Sequence, residues 1–227
     1  MPAKAKLVET LGPDHTALVL FDTLNGYLHP KDPKKKAFLK ENNVLPNLTA
    51  LLRGARRAGL RTFYPSGDHS ADGSDISVRL TDTNMDLRPW ANGPLKAAET
   101  KAIAPSIRHG TKAAEIAPEI KPKPGFDIVV PKHRWSSFFQ TKLELSLRTR
   151  GIDTIVIAGG STDVGIASTV FAARDLDFGI VVVSDACYSA RGNNNQLFME
   201  RVFPRMARVM TVKQAVDLML RGAGKKK

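Results

Sequence analysis

The chain has 227 residues, of which 42% are hydrophobic and 25% charged, and its formal net charge is +12. No stretch reaches the roughly 20 apolar residues of a membrane-spanning helix, and the N-terminal MPAKAKLVETLGPDHT lacks the apolar core of a signal sequence. The single cysteine, Cys187, excludes an internal disulfide framework and a cysteine-rich metal site. We therefore expect one cytoplasmic domain over residues 1–227, with its core at 15–220 and no membrane partner.

The positive charge is spread along the chain, with small clusters at Lys34–Lys36 and Lys225–Lys227. Basic residues interleaved with aromatic ones, a pattern typical of nucleic-acid contacts, do not occur in the sequence. The charge therefore favours a basic surface that aids solubility and attracts anionic substrates, and we predict no nucleic-acid partner.

Short β-branched runs alternate with amphipathic stretches, which is typical of a parallel sheet covered by helices. Strands are predicted at Thr16–Phe21, Leu60–Phe63, Ile128–Val130, Thr154–Ala158 and Gly179–Val183, with a less pronounced sixth run at Arg208–Met210. Helices are predicted at Val44–Ala58, Ser136–Arg150, Asp163–Asp177 and Val212–Arg221. The sequence thus predicts an α/β fold, a three-layer α-β-α sandwich around a mostly parallel sheet of about six strands.

Residues 65–127 interrupt this alternation, because they are rich in Pro, Gly, Asp and Ser and show no strong periodicity. A loop of this length inside a compact domain is usually functional. Two interpretations stay open for it: a lid or substrate-binding excursion, and an arm that contacts another subunit.

Reactive side chains follow two of the predicted strands, and ligands of such sheets bind beyond the carboxyl ends of the strands. Asp22 directly follows LVLF, and Lys132 follows IVVP. A partly buried carboxylate needs a partner, and an ammonium is a suitable one. The ammonium favours the ionised carboxylate and burial favours the protonated one, so the pair suits proton transfer near neutral pH. Spacing alone leaves a turn-forming aspartate and a solvated lysine as alternatives.

The fourth predicted strand runs into the Gly-rich turn GGSTD, where Thr162 or Asp163 is a suitable N-cap for the next helix. A helix N-terminus after a parallel strand gathers free N–H groups and a positive partial charge, which suits an anion or an activated nucleophile. Gly165 faces this predicted pocket and offers no nucleophile.

Three segments resemble the isochorismatase-like hydrolase superfamily, also called the cysteine hydrolases. They are LVLFDTLNGYLHP, the long run from VVPKHRWSSFFQ through GIDTIVIAGGSTDVGIASTVF to SDACYS, and RVMTVKQAVDLML. The resemblance spans His15 to Leu220 and implies an aspartate–lysine–cysteine constellation. Asp22 matches the aspartate, Lys132 matches the lysine, and Gly165 falls where the cysteine belongs. It also implies a non-proline cis peptide, expected at Gly160–Ser161, and a homo-oligomer, either a dimer or a tetramer.

The resemblance implies two kinds of chemistry. In the cysteine members, a thiolate attacks an amide carbon and the aspartate is the general base and acid. The true isochorismatases have glycine at this position, and their aspartate protonates a vinyl ether, water adds to the oxocarbenium carbon and pyruvate leaves. Two departures leave the substrate open: DTLNGY replaces the commoner Asp-Met-Gln-Asn-Asp-Phe, and Tyr64–His69 stand where isochorismatases hold a substrate-positioning glutamine.

The matching segments and the predicted pocket suggest six substrate contacts, Asn25, Tyr27, Trp135, Phe138, Ser161 and Thr162. Capping explains Thr162 equally well, and Phe138 also suits the core. Arginine binds carboxylates in a bidentate manner, so an anionic substrate adds the candidates Arg79, Arg88 and Arg134, each of which also suits a salt bridge or a subunit contact.

A second thiol position and a metal site are further candidates. Cys187 follows the fifth strand and suits either a displaced nucleophile or, more commonly for a lone cysteine among apolar residues, a small packed hydrophobe. Asp68, His69 and His109 lie in the region where nicotinamidases bind zinc, but histidines are fewer here, so we predict no metal and no other cofactor.

The sequence therefore predicts an isochorismatase-type hydrolase of a small, anionic molecule that uses Asp22 and Lys132 without a cysteine nucleophile. Two alternatives stay open. One is a non-catalytic member of the fold that binds a small molecule or only assembles into oligomers. The other is an amidohydrolase whose catalytic cysteine has been replaced at Gly165. The expected partners are the substrate and further copies of the chain.

Overall fold

The computed structural model of the chain describes residues 10–71, 75 and 107–224. Its centre is a six-stranded sheet in which all neighbouring strands are parallel. The strands are β1 (Thr16–Phe21), β2 (Arg61–Gly67), β3 (Ile128–Lys132), β4 (Thr154–Gly160), β5 (Gly179–Tyr188) and β6 (Arg208–Met210). Their spatial order is β3-β2-β1-β4-β5-β6. The predicted α/β class with its six-stranded parallel sheet is confirmed.

Helices surround this sheet. Within the described residues, the α-helices are α1 (Asn25–Leu28), α2 (Pro33–Glu41), α3 (Val44–Arg57), α4 (Leu143–Arg148), α5 (Ala167–Asp175), α6 (Asn194–Leu197) and α7 (Val212–Ala223). Shorter turns of 3₁₀ or π type occupy Lys112–Ala114, Pro118–Ile120, Thr162–Ile166, Phe198–Val202 and Phe203–Arg205. Helices α3 and α7 pack against each other. Because β-α-β crossovers are right-handed, α3 before β2 and α5 before β5 cover opposite faces of the sheet.

The core lies between these layers. Strand β1 is buried along its whole length, as expected for a central parallel strand that is covered on both faces. Helix α3 supplies Leu48, Leu51, Leu52 and Ala55 to the same core. Each large aliphatic side chain buried in this way contributes roughly 1.5–3 kcal/mol. The apolar runs thus fix the sheet, and the sheet fixes where its carboxyl ends meet.

Four strands continue beyond their predicted carboxyl ends, whereas β1 and β6 have the predicted bounds. Strand β2 includes Pro65–Gly67, which the sequence assigned to the loop at 65–127. Strands β3 and β4 extend to Lys132 and Gly160, and β5 extends to Tyr188. Residues 72–74 and 76–106 of that loop lie outside the described part of the chain, so the choice between a lid and a subunit arm stays a prediction.

The helix predicted at Ser136–Arg150 is mostly wrong, since α4 covers only Leu143–Arg148. Hydroxyl side chains compete for the backbone in the preceding segment. Thr141 Oγ1 donates to the Ser137 carbonyl oxygen at 2.5 Å, and Ser136 Oγ accepts from the Phe138 N–H at 3.2 Å. Such local hydrogen bonds offer the chain an alternative to the helical ladder.

Helix α2 was not predicted, because its Pro-Lys-Lys-Lys start contains no apolar periodicity. Its start signal was nevertheless present in the sequence. Pro33 occupies the first turn, and the Asp32 side chain accepts from the N–H groups of Lys34 and Lys35. A capping aspartate followed by proline is a recognised helix start.

Candidate active site

The candidate site lies at the carboxyl end of β1, where the order of the strands reverses. The chain builds β2 and β3 on one side of β1, then crosses back to place β4 on the other side. Such a reversal leaves a crevice between the loops that follow the two central strands. Here those loops begin at Asp22 after β1 and at Ser161 after β4.

Asp22 and Lys132 form a buried ion pair at the floor of this crevice. Lys132 Nζ donates to Asp22 Oδ2 at 2.8 Å, and the Gly67 N–H donates to Asp22 Oδ1 at 2.7 Å. The sheet register explains this meeting, since Lys132 on β3 pairs with Gly67 on β2, the neighbour of β1. Only 7% of Asp22 and 5% of Lys132 is exposed. Water therefore screens their interaction weakly.

The backbone of Asp22 also departs from a regular strand. Its φ angle is 47°, in the left-handed region that aspartate tolerates better than most residues other than glycine. Its N–H donates to the Pro65 carbonyl oxygen at 2.9 Å, which ties the turn to β2. Residues held in such conformations are common at functional sites, where the surrounding structure fixes them.

Burial raises the pKa of the Asp22 carboxyl above its ordinary value, because desolvation disfavours the charged form. The Lys132 charge and hydrogen bond, the Gly67 N–H and the charge of His69 act in the opposite direction. As a net result, a larger fraction of this carboxyl is protonated near neutral pH than for an exposed aspartate. A carboxyl of this kind can give a proton to a ligand and take one back.

A cavity of about 380 Å³ opens above the pair. Its polar and charged lining residues are Asp22, Lys35, Lys132, Ser161, Tyr188, Ser189 and Arg191. Its larger apolar ones are Phe21, Tyr27, Phe38, Leu39, Trp135 and Val164. Mostly apolar walls with a few convergent polar groups are typical of a small-molecule site. Three cationic side chains against one carboxylate favour an anionic ligand.

Gly165 lines this cavity from the π-type turn Thr162–Ile166. The turn begins one residue earlier than predicted, with Ser161 at its N-cap. The peptide bond between Gly160 and Ser161 is cis, as expected. The backbone of Gly165 thus reaches the site, and its lack of a side chain leaves the space above it to other residues.

Asp163 organises the turn, whereas the sequence suggested it only as a helix N-cap. Its carboxylate accepts from Ser161 Oγ and, at 2.7 Å, from Asn194 Nδ2. Arg191 Nη1 lies 3.9 Å from Asp163 Oδ2. Burial alone would raise the pKa of Asp163, but hydrogen bonds from Ser161, Asn194 and Ser189 together hold it below its ordinary value. Asp163 therefore links the loops that follow β4 and β5.

Three of the six predicted substrate contacts, Tyr27, Trp135 and Ser161, line the cavity. The other three lie outside the lining formed by the described residues. Thr162 is fully buried and donates to Asn195 Oδ1 at 2.6 Å, and Asn25 donates to the Lys112 carbonyl oxygen at 3.1 Å. Phe138 packs against Phe178, with ring centroids 5.5 Å apart. Asn25, Phe138 and Thr162 thus have other partners in the structure, and their contact with a substrate stays a prediction.

Of the three candidate arginines, the structure describes Arg134. Arg134 Nη1 donates to the Asp75 carbonyl oxygen at 2.7 Å and stands apart from the cavity lining. Arg79 and Arg88 lie outside the residues that the structure describes.

Lys35, Tyr188 and Arg191 line the cavity but were not predicted. Lys35 belongs to the helix that the sequence reading missed, and Tyr188 ends a strand that was predicted five residues too short. Tyr188 packs against the Gly-rich turn, since a Cβ atom at Gly160 would lie 2.6 Å from Tyr188 Cζ. Burial, with a smaller contribution from Asp22, raises the pKa of Tyr188, so its hydroxyl stays protonated and able to donate.

Cys187 is a packed core residue in the structure. It is 5% exposed, and its Sγ lies 3.8 Å from the Ile157 carbonyl oxygen. Burial raises the pKa of the thiol to about 12. A thiol that stays protonated at neutral pH is a poor nucleophile.

The three residues considered for zinc separate into two groups. His109 Nδ1 lies 2.9 Å from Asp68 Oδ1, whereas His69 faces Asp75 and His133. His69, Asp75 and His133 bring three ligand atoms within 4.8 Å of one another, so this second group has the chemistry of a metal site. Neither group contributes to the cavity lining, and the predicted absence of a metal stays a prediction.

Helices of the kind that cross membranes, long and apolar, are not found within the part of the chain that the structure describes.

Comparisons with known proteins agree with this architecture. A sequence model of the isochorismatase domain matches residues 16–214. The uncharacterized isochorismatase family protein YecD of Escherichia coli O157:H7 is 42% identical over 91 residues, which span 40% of this chain and about half (48%) of YecD. The ureidoacrylate amidohydrolase RutB of Rhizobium rhizogenes is 31% identical over 199 residues, covering 83% of this chain and 76% of RutB.

Among solved structures, an isochorismatase family protein from Burkholderia thailandensis matches with a TM-score of 0.70 and 27% identity. The match covers 94% of this chain and 99% of that chain. The fold and the sequence relationship therefore extend over nearly the whole chain.

Proposed function

The chain belongs to the isochorismatase family, and we propose that it hydrolyses a small, anionic molecule by acid catalysis at the cavity above Asp22. In this proposal Asp22 is the general acid and base, Lys132 holds it in place, and no side chain attacks the substrate. The observation that carries the proposal is the buried Asp22–Lys132 pair, with its hydrogen bond of 2.8 Å, at the floor of an open cavity.

For a vinyl ether, the proposed reaction begins with protonation of the substrate. The protonated Asp22 carboxyl gives its proton to the terminal alkene carbon, and the ether oxygen stabilises the resulting oxocarbenium ion. Water adds to the cationic carbon and loses a proton to the Asp22 carboxylate. The hemiketal then breaks its C–O bond to release an alcohol and a ketone, which leaves Asp22 protonated for the next turnover. A strained amide or carbamoyl bond is the second substrate type that we propose, as RutB is a ureidoacrylate amidohydrolase.

The charge balance of the cavity supports an anionic substrate. When Asp22 is protonated, the Lys132 ammonium loses its ionised partner in a buried position. An anionic group of the substrate restores that balance, and it also favours the neutral form of Asp22 by repelling the carboxylate. Lys35 and Arg191 on the rim add positive charge that attracts the same ligand.

Thiol chemistry finds no support in the site. Gly165 has no side chain, and the Cys187 thiol is buried with a pKa of about 12. The non-catalytic alternative predicts a lysine out of reach of Asp22 or a filled pocket. The 2.8 Å contact and the cavity of about 380 Å³ favour catalysis instead. A homo-oligomer, which the family resemblance implies, and a cytoplasmic location, which the sequence suggests, remain part of the proposal.

The test is a turnover screen of vinyl ether, carbamoyl and amide compounds combined with intact-mass spectrometry. We expect that a hydrolysed anionic compound leaves the protein mass unchanged throughout turnover, and that iodoacetamide leaves the rate unchanged. A transient mass increase equal to a substrate fragment, or loss of activity on alkylation of Cys187, would contradict the proposal because both require a covalent nucleophile.

Removing the charge of Lys35 should raise KM while leaving kcat nearly unchanged. Lys35 lies on the exposed rim, where one charge is worth roughly 0.2–1 kcal/mol, so we expect Lys35→Met to increase KM by roughly 1.5- to 5-fold at low salt. The increase should shrink at high ionic strength, since salt screens exposed charges. Lys40→Met on the same helix is the control, because Lys40 does not belong to the cavity lining. Equal effects of the two variants would contradict a role for Lys35 in binding.

A further inference from the structure

The ring of Phe21 occupies the space above Gly165. Phe21 is the last residue of β1, is 2% exposed, and directly precedes Asp22. A Cβ atom built on Gly165 would overlap Cζ and Cε1 of Phe21 and would lie 3.2 Å from Cε2. Any side chain at position 165 therefore competes with this ring for one volume.

Backbone conformation does not explain why residue 165 is a glycine. The turn Thr162–Ile166 has a helical backbone, and Gly165 is absent from the described glycines with positive φ. In a helical position an alanine normally stabilises the chain relative to glycine. The reason for a glycine at position 165 is therefore steric, since ring atoms of Phe21 are the nearest neighbours of a Cβ atom built there.

The same ring also contacts Lys132. Lys132 Nζ lies 4.3 Å from the centroid of the Phe21 ring. Among the described residues, Lys132 Nζ donates hydrogen bonds to Asp22 Oδ2 at 2.8 Å and to the Arg134 carbonyl oxygen at 3.4 Å. The face of an aromatic ring carries negative partial charge and attracts a buried ammonium. One ring thus contacts both the Lys132 ammonium and the space where a side chain at position 165 would lie.

We propose that Phe21 is a positioning residue that takes the place of a side chain at position 165: its ring fills that volume and holds the Lys132 ammonium against Asp22. Phe21 and Gly165 then form an interlocked pair, in which the glycine is required by the ring. An amidohydrolase that had simply lost its cysteine would retain room for that side chain, so the pair argues for an arrangement built without a thiol. The kinetic part of this inference rests on the proposed function.

The steric part is tested by a double-mutant cycle that needs no substrate. Phe21→Leu removes Cε1, Cε2 and Cζ, the ring atoms nearest Gly165. We expect Gly165→Ala to lower Tm by roughly 2–12 °C when residue 21 is phenylalanine, since overpacking of this kind strains a core, and to leave Tm unchanged or higher when residue 21 is leucine. The control background is Phe178→Leu, a buried ring that also lies under a cation, Arg148, at 3.9 Å. Additive Tm shifts for Phe21→Leu and Gly165→Ala would overturn the interlock.

The positioning part is tested by kinetics on the same variants. We expect Phe21→Leu to lower kcat about tenfold with KM within about twofold, because a displaced Lys132 misplaces the acid while leucine keeps an apolar side chain in the cavity lining. A crystal structure of this variant should show a longer Lys132 Nζ to Asp22 distance. Phe178→Leu should retain the wild-type kcat. Unchanged kcat in Phe21→Leu would overturn the positioning role. A protein without turnover on the whole screen would instead contradict the proposed function, while the Tm cycle would still decide the interlock.

Discussion

Replacing Asp22 with asparagine is expected to lower kcat by roughly 10²- to 10⁴-fold, the usual contribution of a positioned acid–base group. The amide can neither give nor take the proton that the proposed reaction requires. The fold should survive the change, because asparagine also tolerates the left-handed φ of 47° and its oxygen can still accept from the Gly67 N–H. Steady-state kinetics and thermal unfolding of the purified variant measure both effects.

A matched control for this substitution is Asp153→Asn. Asp153 directly precedes β4, at the amino end of the strand and thus at the other end of the sheet from Asp22, and 65% of its side chain is exposed. We expect its kcat to stay within about twofold of wild type, as surface changes away from special features are usually small. Retention of turnover in Asp22→Asn would remove Asp22 from the mechanism. Equal losses in both variants would point to a general effect of the amide on the fold.

The sheet could be predicted from the sequence because its strands are encoded by local apolar runs. The β1 run TALVLF is buried at every position and begins and ends as predicted. The carboxyl ends of β2, β4 and β5 could not be predicted in the same way. They contain Pro65 and Gly67, Gly159 and Gly160, and Asp185 and Ala186, which are residue types that disfavour strands. Pairing with neighbouring strands continues through Gly67 in β2 and through Gly160 in β4.

The residues of the candidate site could be predicted where a reactive side chain directly follows an apolar run. Asp22 and Lys132 stand at such positions, and the parallel register brings their side chains together. The residues at the rim of the cavity could not be predicted. Lys35 lies on a polar helix without apolar periodicity, and Arg191 lies in the loop after β5, next to Asp163 in the turn after β4. Thr162 is an example of a predicted contact with another partner, because its hydroxyl donates to Asn195 and does not line the cavity.

The role of Phe21 lies beyond any local reading of the sequence. Nothing in the run LVLFD distinguishes a core phenylalanine from one whose ring fills the volume above a residue 144 positions later. Only the pairing of β1 with β4 places these residues together. The absent side chain at 165 and the ring at 21 are therefore two parts of one arrangement, and Lys132 is the third.

Lys132→Met should move the alkaline limb of the kcat/KM profile upward by roughly one to three pH units. The proposed reaction needs protonated Asp22, so activity falls as pH rises through the pKa of that carboxyl. Burial raises this pKa, and Lys132 is the largest influence that opposes the increase. Without the ammonium, only the Gly67 N–H and the charge of His69 oppose burial among the influences on Asp22. Absolute rates should fall, since the anionic substrate loses its attraction to the Lys132 ammonium. The pH at which the alkaline limb falls still measures the pKa of Asp22.

Stability should change with pH in the direction that this pKa requires. Asp22 binds its proton more tightly in the folded chain than in the unfolded chain, where its pKa is near 3.8. Its contribution is therefore complete below that value and is lost as pH rises through the folded-state pKa. For Lys132→Met we expect a small loss of unfolding free energy at acidic pH that grows by roughly 1.4–4 kcal/mol as pH rises, since each of the one to three units of pKa shift is worth about 1.4 kcal/mol. Urea unfolding across a pH series measures this, with Lys35→Met as the comparison that removes an exposed charge from the same cavity. If the loss of unfolding free energy in Lys132→Met is independent of pH, the lysine contributes packing and not charge. If the alkaline limb of the kcat/KM profile does not move in this variant, Asp22 is excluded as the titrating acid.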